Sequence, residues 1–315
     1  MKSFFIPSLF LSILFLNACS EDSFQQVKEI KLPAHQRLLA VQAIFSTQDT
    51  VLELYLSHSK STLDSDPFGF IEGAAITLSS GNGTAVEFSP TKDSVNGIDS
   101  RFKWDAVPPP GFFLPGERYT LSISAPGYTT LTAEEIFPIP PDIDLIHFEQ
   151  NATIDEYGDA YDQLDFELKD PSGANFYLFT GWERDTSWRT IRENGQVVGR
   201  DTFEFINKIY LSSIDPTIKG TRFGLVLSDE GFNAASRKTV LQRLVTRYPP
   251  PETYDFYFLV SSISKSYYQW MLSVEKAKET DGNPFAEPTI VSNNINNGFG
   301  VFALTHTQQF RIKKQ

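Results

Sequence analysis

The sequence predicts an all-β protein made of two consecutive β-sandwich-like domains, with one helix in the second domain. Short segments in which apolar and polar residues alternate, such as Leu52, Leu54 and Leu56 with Glu53 and Tyr55 between them, are typical of half-buried strands. Turn residues separate these segments about every ten positions, as in β-sandwiches. Aromatic residues make up 14% of the chain and methionines number only 2, which favours the pleated, aromatic-rich cores of sheets.

The first domain is predicted over residues 33–140 as an immunoglobulin-like or transthyretin-like sandwich. Its clearest strand runs from Gly116 to Ser124, where apolar and polar side chains alternate. The stretch 79–83 contains Gly and Asn and predicts a turn between two hairpin strands. Pro138, Pro140 and Pro141 mark the end of the domain.

The second domain is predicted over residues 141–315. Leu164, Phe166 and Leu168 alternate with acidic residues and predict a strand, and the Asn194-Gly195 pair predicts a tight hairpin. One helix is predicted at about 266–279, with Ser264 or Ser266 as its N-cap. The apolar face of this helix consists of Tyr267, Trp270, Met271 and Val274.

Residues 1–18 have the pattern of a secretory signal peptide. Lys2 precedes an apolar stretch of about a dozen residues, shorter than the roughly 20 that span a membrane as a helix. Leu16-Asn17-Ala18-Cys19 then resembles a bacterial lipobox, in which the cysteine is acylated and becomes the new N-terminus. The sequence therefore predicts a lipid anchor on Cys19 and a polar tether over residues 19–32. The alternative is a plain secreted protein with one leftover thiol.

The charge balance excludes some classes of partner. The net charge is −12, and removal of residues 1–18 takes away Lys2 and no acidic residue, which brings it to about −13. We therefore expect no nucleic-acid partner. Cys19 is the only cysteine, so no disulfide can form within the chain.

Catalytic motifs are not apparent. Nucleophilic catalysis needs a base near the nucleophile, and the four histidines, His35, His58, His147 and His306, are far apart along the chain. No Gly-x-Ser-x-Gly, His-Glu-x-x-His or phosphate-binding Gly loop occurs, and no cofactor is indicated. A carboxylate pair for glycoside hydrolysis stays open, because such pairs leave no fixed spacing.

One acidic segment is a candidate calcium site. Asp155, Glu156, Asp159 and Asp162 surround Gly158, and calcium prefers flexible loops rich in oxygen ligands. The spacing does not match an EF-hand. A solvated acidic loop between strands is the favoured interpretation.

Two further sets of side chains each have a functional and a structural interpretation. Tyr177, Trp182, Trp188 and Tyr210 offer stacking surfaces for a flat ligand, although core packing is favoured for them. Asp49-Thr50-Val51 and Asp93-Ser94-Val95 resemble the acceptor pattern for O-glycosylation in Bacteroidota. Thr50 and Ser94 are therefore candidate acceptors, with an ordinary hydroxyl at a strand edge as the alternative.

The C-terminal part contains a distinctive stretch, Gly282 to Pro288 followed by Val291 to Phe302. It resembles the Bacteroidota lipoprotein family known as domain of unknown function 4249. Ile71 to Ala74, Gly116 to Tyr119 and Ser228 to Asn233 agree with the same family. The resemblance is specific for the family and nearly silent about chemistry.

This resemblance implies an outer-membrane lipoprotein with no established enzymatic activity, often encoded beside a TonB-dependent receptor. Glu21-Asp22 resemble a surface-export signal, so we expect the chain to face the cell exterior. We expect a non-catalytic ligand-binding or accessory partner of such an uptake receptor, with the ligand unidentified. The alternatives are a surface adhesin or structural lipoprotein, and a carbohydrate-active or peptide-cleaving enzyme.

The same stretch is a candidate loop for contact with a ligand or partner. Prolines and glycines restrict or release the backbone there, and Asn side chains can bond backbone groups within turns. A structural scaffold is the favoured interpretation of this loop. The candidate contact residues are Asn283, Pro284, Phe285, Asn293, Asn294, Asn296, Asn297 and Phe299.

Overall fold

A computed structural model describes residues 35–61, 71–95, 98–245, 254–281, 285, 287 and 289–312. The signal peptide, Cys19 and the tether predicted for residues 1–32 lie outside these residues. No helix in the described part of the chain is long and apolar enough to cross a membrane.

The described residues are mostly in strands, as the sequence predicts, and they contain one helix. The elements are β1 (Leu39–Ser46), β2 (Leu52–His58), β3 (Ala75–Ser80), β4 (Ala85–Glu87), β5 (Ser89–Val95), β6 (Ile98–Ala106), β7 (Arg118–Ser124), β8 (Leu131–Ile136), β9 (Asp142–Ile154), β10 (Ala160–Lys169), β11 (Phe176–Glu193), β12 (Gln196–Ile209), β13 (Leu211–Ser212), β14 (Lys219–Thr221), β15 (Gly224–Ser228), β16 (Ser236–Leu244), β17 (Tyr254–Ile263), α1 (Lys265–Thr280) and β18 (Gly298–Ile312).

One ten-stranded sheet, which we call the central sheet, contains strands from both halves of the sequence. Its order is β14-β15-β11-β17-β18-β1-β2-β6-β5, and β12 pairs with β11. β18 runs parallel to β1, with Leu39 opposite Gly298 at one end and Ser46 opposite Thr305 at the other. Beyond that point β18 runs antiparallel to β17. The C-terminal strand therefore joins the two halves.

Two smaller sheets cover one face of the central sheet. The first has the order β4-β3-β7-β8, and its core with the central sheet contains Leu54, Leu121 and Phe302. The second has the order β13-β16-β10-β9. Its core with the central sheet contains Phe166 and Phe258, and Phe310 packs against this core. Phe302 and Phe310 are an even number of residues apart on β18, so both point to the same face.

The helix covers the opposite face of the central sheet. Val301 and Ala303 on β18 point away from Phe302, and they pack in one cluster with Tyr267 and Met271 of α1. Both of these helix residues are buried, as the predicted apolar face requires. The sequence-predicted helix at about 266–279 is confirmed.

The structure is sandwich-like on each side of residue 140, and the two sandwich regions share the central sheet. The described residues from Arg37 onward form one compact unit. Pro138 to Pro141 lie between β8 and β9, where the sequence predicts a boundary. The division into domains over 33–140 and 141–315 stays a prediction.

The Asn194-Gly195 hairpin is confirmed at the level of backbone geometry. Asn194 and Gly195 have φ values of 50° and 81°, as the preferred two-residue turn requires. The C-terminal segments Val301 to Leu304 and Gln309 to Ile312 belong to one strand of 15 residues, β18.

Gly300 is required where β18 pairs with β1. Its φ is +121°, and a Cβ at this position would overlap the carbonyl oxygen of Val41 on the neighbouring strand. We predict that Gly300→Ala lowers the free energy of unfolding by more than about 3 kcal/mol, because backbone strain and a steric overlap act together. Urea unfolding followed by circular dichroism measures this change.

Gly158→Ala is the matched control for this prediction. Gly158 has φ +81° with open space around it, so its substitution adds only the strain of a positive φ, about 1–2 kcal/mol. Equal losses for the two variants would show that the close approach of Val41 does not constrain the sheet.

Candidate functional site

A cleft of about 470 Å³ lies where the edge of the first small sheet meets the end of β17. One wall is β8 with the residues that follow it. The opposite wall consists of the segment before β11, the last residues of β17 and the first residues of α1. The lining residues are Gly116, Arg118, Glu134, Glu135, Ile136, Phe137, Pro138, Ile139, Ser172, Gly173, Ala174, Asn175, Phe176, Ser262, Ile263, Ser264, Lys265 and Ser266.

An aromatic cluster fixes the wall that contains β8. The hydroxyl of Tyr119 on β7 donates to the carbonyl oxygen of Phe112 at 2.6 Å and accepts from the N–H of Leu114 at 2.8 Å. Phe113 stacks on Phe137 with ring centroids 5.1 Å apart. Burial raises the pKa of Tyr119, so the phenol stays protonated and keeps this bond to Phe112. These hydrogen bonds and ring contacts hold the wall that contains β8 in place.

Glu135 on β8 is one of four ionisable residues that line the cleft, with Arg118, Glu134 and Lys265. The side-chain amide of Asn294 donates to its Oε1 at 2.7 Å. Burial raises the pKa of Glu135, and hydrogen bonds from Ser266, Asn294 and Ser264 oppose this rise only in part. The carboxyl group therefore gains from a ligand that brings a hydrogen-bond donor or a positive charge.

Two buried hydroxyls lie on the opposite wall. Ser262 is 1% exposed and Ser264 is 5% exposed, and the Ser262 Oγ has no hydrogen-bond partner among the described residues. Ser264, one of the two N-cap residues that the sequence offers, is the N-cap of α1, yet its side chain makes no capping bond. It donates to the Glu135 carboxyl instead. Buried polar groups are rarely left unpaired, so the Ser262 hydroxyl indicates a place for a polar ligand or water.

His306 lies beside this wall, directly opposite Ser262 in the pairing of β17 with β18. Burial lowers the pKa of His306, so the ring is neutral at neutral pH. Its Nδ1 is buried without a partner among the described residues, and so is the Ser262 hydroxyl. The Ser262 Oγ and the His306 Nδ1 therefore make no hydrogen bond to each other.

The asparagines of the predicted contact loop hold the loop in place, as the scaffold interpretation expects. Asn293 donates to the carbonyl oxygen of Gly298 at 3.0 Å, and Asn294 exchanges bonds with both backbone groups of Phe302 at 2.7 and 3.0 Å. Asn297 has φ +61° and donates to the carbonyl oxygen of Thr130 at 3.1 Å.

The remaining members of the contact loop differ in position. Asn296 exchanges backbone hydrogen bonds with Thr132 on β8. Phe285 is 95% exposed and Phe299 is 46% exposed. Asn283 and Pro284 lie outside the described residues. Of the loop residues, the structure brings Asn294 to the cleft, through Glu135.

The acidic segment uses its carboxylates within the chain. Asp155 Oδ1 accepts from the N–H groups of Tyr157 and Asp159 at 3.0 and 2.8 Å. Asp162 is 3% exposed and lies 3.2 Å from Arg243. Within the described ranges, no group of three or more such side chains that could hold a metal ion occurs. Asp155, Glu156, Asp159 and Asp162 are therefore not brought together as a calcium site.

The aromatic candidates do not form one ligand surface. Tyr177 is completely buried and donates to Asp170, which makes it a core residue. Trp182 stacks on Tyr257 with ring centroids 3.8 Å apart, whereas Tyr210 is 78% exposed. The side chain of Trp188 lies outside the described part of the structure.

The two candidate acceptors for O-glycosylation lie far apart in sequence and in different strands or turns. Thr50 is exposed in the connection between β1 and β2, and Ser94 belongs to β5. Their modification stays a prediction.

Sequence reasoning missed Glu135, Ser262 and His306 as site residues. A faint signal exists at Ser261-Ser262-Ile263-Ser264, where hydroxyl residues end an otherwise apolar strand. Glu135 and His306 carry no local signal, because their positions follow from how β8 and β18 meet.

Comparison with known proteins identifies a family. The model of the family described as domain of unknown function (DUF4249) matches residues 27–311, which confirms the family predicted from the stretch between Gly282 and Phe302. No curated protein matches the chain. Among solved structures, a DUF4785 family protein from Legionella pneumophila is 12% identical, with a TM-score of 0.26 and coverage of 71% of this chain. The present chain spans about half, 52%, of the length of that protein.

The unpaired hydroxyl of Ser262 has a matched neighbour. Ser261 is also buried, but its Oγ lies 2.8 Å from Thr307 Oγ1 in a hydrogen bond. We predict that Ser261→Ala lowers the free energy of unfolding by about 1 kcal/mol, whereas Ser262→Ala leaves it unchanged or raises it, because only the first loses a bond. Urea unfolding of the two variants checks this difference. A loss at Ser262 equal to that at Ser261 would contradict the absence of a partner.

The raised pKa of Glu135 predicts a pH dependence of stability. The stability that protonated Glu135 contributes to the fold is fully present below pH 4.5, the ordinary pKa of a glutamate. This stability is lost as pH rises through the raised pKa of Glu135 in the folded state. We therefore predict that Glu135→Gln becomes progressively more stable than the parent chain as pH rises above 4.5. Urea unfolding across this pH range measures the difference.

Glu275→Gln is the control of opposite sign. The backbone N–H of Arg222 lowers the pKa of Glu275 by donating to its carboxylate, so the stability that Glu275 contributes is present above pH 4.5 and is lost as pH falls below it. Glu275→Gln is expected to be less stable than the parent chain above pH 4.5, with the gap closing at lower pH. The same slope in both variants would contradict the assignment for Glu135.

Proposed function

We propose that this chain, which belongs to the family described as domain of unknown function 4249, is a lipid-anchored protein on the outer membrane. In this proposal it binds a ligand in the cleft between β8 and β17 without catalysing a reaction. It works as an accessory partner of a TonB-dependent uptake receptor and faces the cell exterior.

The observation that carries the binding function is the buried, unpaired hydroxyl of Ser262 at an open cleft that Ser264 and Glu135 also line. An unpaired buried polar group costs roughly 1–3 kcal/mol, a cost that a ligand removes when it supplies the missing bond. Glu135 adds a carboxyl group that burial has made more basic. Three polar groups that converge on one cleft of this size are typical of small-ligand sites.

The lipobox at Leu16 to Cys19 supports the anchoring part of the proposal. Diacylglycerol and an added acyl chain together bury many methylenes at about 0.8 kcal/mol each, which makes anchoring effectively permanent. A tether over residues 19–32 reaches at most roughly 50 Å when extended. The binding cleft would therefore stay at high effective concentration beside a receptor in the same membrane.

A surface adhesin or structural lipoprotein is the second candidate, and one feature favours it. β11 and β12 continue as a two-stranded ribbon up to the turn at Asn194. Val197, Val198 and Ile206 on this ribbon are 56%, 54% and 66% exposed. Exposed apolar groups of this kind mark contact surfaces for other macromolecules.

The test is purification of the intact lipoprotein from detergent-solubilised outer membranes, followed by identification of the proteins that accompany it. We expect a TonB-dependent receptor in a stoichiometric amount. With Cys19→Ala we expect the lipoprotein itself to be lost from the membrane fraction, because that variant cannot be acylated. Incorporation of a labelled fatty acid measures acylation separately.

The two candidates predict different results in this purification. A chain that is acylated but purifies alone would overturn the receptor partnership and favour the adhesin. A double variant Val197→Asp and Val198→Asp then tests the ribbon, since it removes apolar contact surface and leaves the cleft intact. An accompanying receptor that is retained in this double variant supports the accessory function.

A further inference from the structure

We infer that the cleft binds an extended peptide segment, which pairs with the outer edge of β8 as an additional antiparallel strand. This inference rests on the proposed ligand-binding function and names the class of its ligand. It follows from the direction of backbone groups on β8, from the shape of the cleft and from the side chains on its two walls.

The outer edge of β8 already carries the start of an added strand. The N–H of Thr132 donates to the carbonyl oxygen of Asn296 at 3.3 Å, and the N–H of Asn296 donates back to Thr132 at 2.8 Å. This reciprocal pair is an isolated antiparallel bridge. It shows that the backbone groups of Thr132 point away from β7, toward the outside of the sheet.

The period of two residues in a strand extends this direction to Glu134 and Ile136. The backbone groups of the intervening residues point toward β7. The N–H of Phe137 shows this direction, since it donates to the carbonyl oxygen of Glu117 at 2.8 Å. No strand among the described residues pairs with the outer edge of β8 beyond the bridge at Thr132. Glu134 and Ile136 therefore present an N–H and a C=O each at the spacing that an extended peptide matches.

The cleft runs along this edge. Glu134 and Ile136 have side chains on the outer, exposed face of β8, whereas Glu135 and Phe137 have side chains on the inner face. All four line the cleft. A cavity lined from both faces of one strand lies along the edge of that strand, which is the position that an added strand occupies.

The side chains on the two faces predict the pattern of the peptide. Side chains of an added strand alternate between faces. Those that point inward would meet Glu135 and the hydroxyls of Ser262 and Ser264, which favours Lys or another hydrogen-bond donor. Those that point outward would lie beside Ile136 and Ile139, which are 53% and 45% exposed. The ligand would therefore alternate basic or polar residues with apolar ones.

The probe is a hexapeptide of alternating Lys and Val with blocked ends, titrated into the mature chain that carries Cys19→Ala. Backbone amide signals in NMR spectra report binding. We expect saturable shifts at Glu134 and Ile136. The same hexapeptide with alternate backbone nitrogens methylated keeps its charge and side chains but loses strand pairing, and we expect at least about tenfold weaker binding.

Two variants separate the backbone contribution from the side-chain contribution. Ile136→Pro removes the outward N–H at a position where an edge strand tolerates proline, and we expect at least about tenfold weaker binding of the hexapeptide. Glu135→Gln keeps the backbone, so we expect it to weaken the Lys-Val hexapeptide more than a Ser-Val hexapeptide. Retained parent-like binding in Ile136→Pro, with the variant folded by circular dichroism, would overturn strand addition.

A neutral oligosaccharide, maltotriose, separates failure of this inference from failure of the proposed function. If maltotriose shifts the signals of Ser262 and Ser264 while neither hexapeptide binds, the cleft is a ligand site and the peptide inference is wrong. If neither probe shifts any signal of the cleft, strand addition is also wrong, and the purification with the receptor decides the proposed function independently. Equal binding of the plain and methylated hexapeptides would indicate attraction by charge alone and would overturn the inference.

Discussion

The pairing of β18 with β1 on one side and with β17 on the other is the constraint on which the other parts of the structure depend. Parallel pairing brings Phe302 under the first small sheet, and the antiparallel continuation brings Phe310 under the second. The intervening residues Val301 and Ala303 seat the helix on the opposite face. Because backbone groups of one strand connect three packed layers, a shift in its register would move side chains out of every core at once.

The cleft is a product of this arrangement. β8 is the edge of its own sheet and packs near the junction where β17 ends, β18 crosses between the two small sheets and α1 begins. Ser262, Ser264 and Glu135 come from elements that pack to form cores, yet their polar groups meet where the layers leave a gap. Polar groups in such a gap are partly removed from water without a complete set of partners, which makes them available to a ligand.

Strands whose buried face is apolar could be predicted from the sequence, as Leu52 to Leu56 and Leu164 to Leu168 illustrate. β16 could not be predicted in this way, because its buried residues are Thr239, Leu241 and Arg243, two of which are polar. The helix and the asparagine-rich loop were predictable because local spacing and turn chemistry determine them. The cleft was not, because Glu135, Ser262 and His306 meet only through pairings between distant segments, and local patterns do not encode which strands become neighbours.

The central place of the C-terminal strand has a consequence for how the chain is made. Leu39 pairs with Gly298, so the contacts that complete the middle of the sheet join opposite ends of the sequence. Such high contact order slows folding, and no nascent fragment lacking the last residues can close the sheet. A chain synthesised or exported from its N-terminus would thus expose the open edges of β1 and β17 until its end arrives, and truncation near residue 298 would leave those edges free for aggregation.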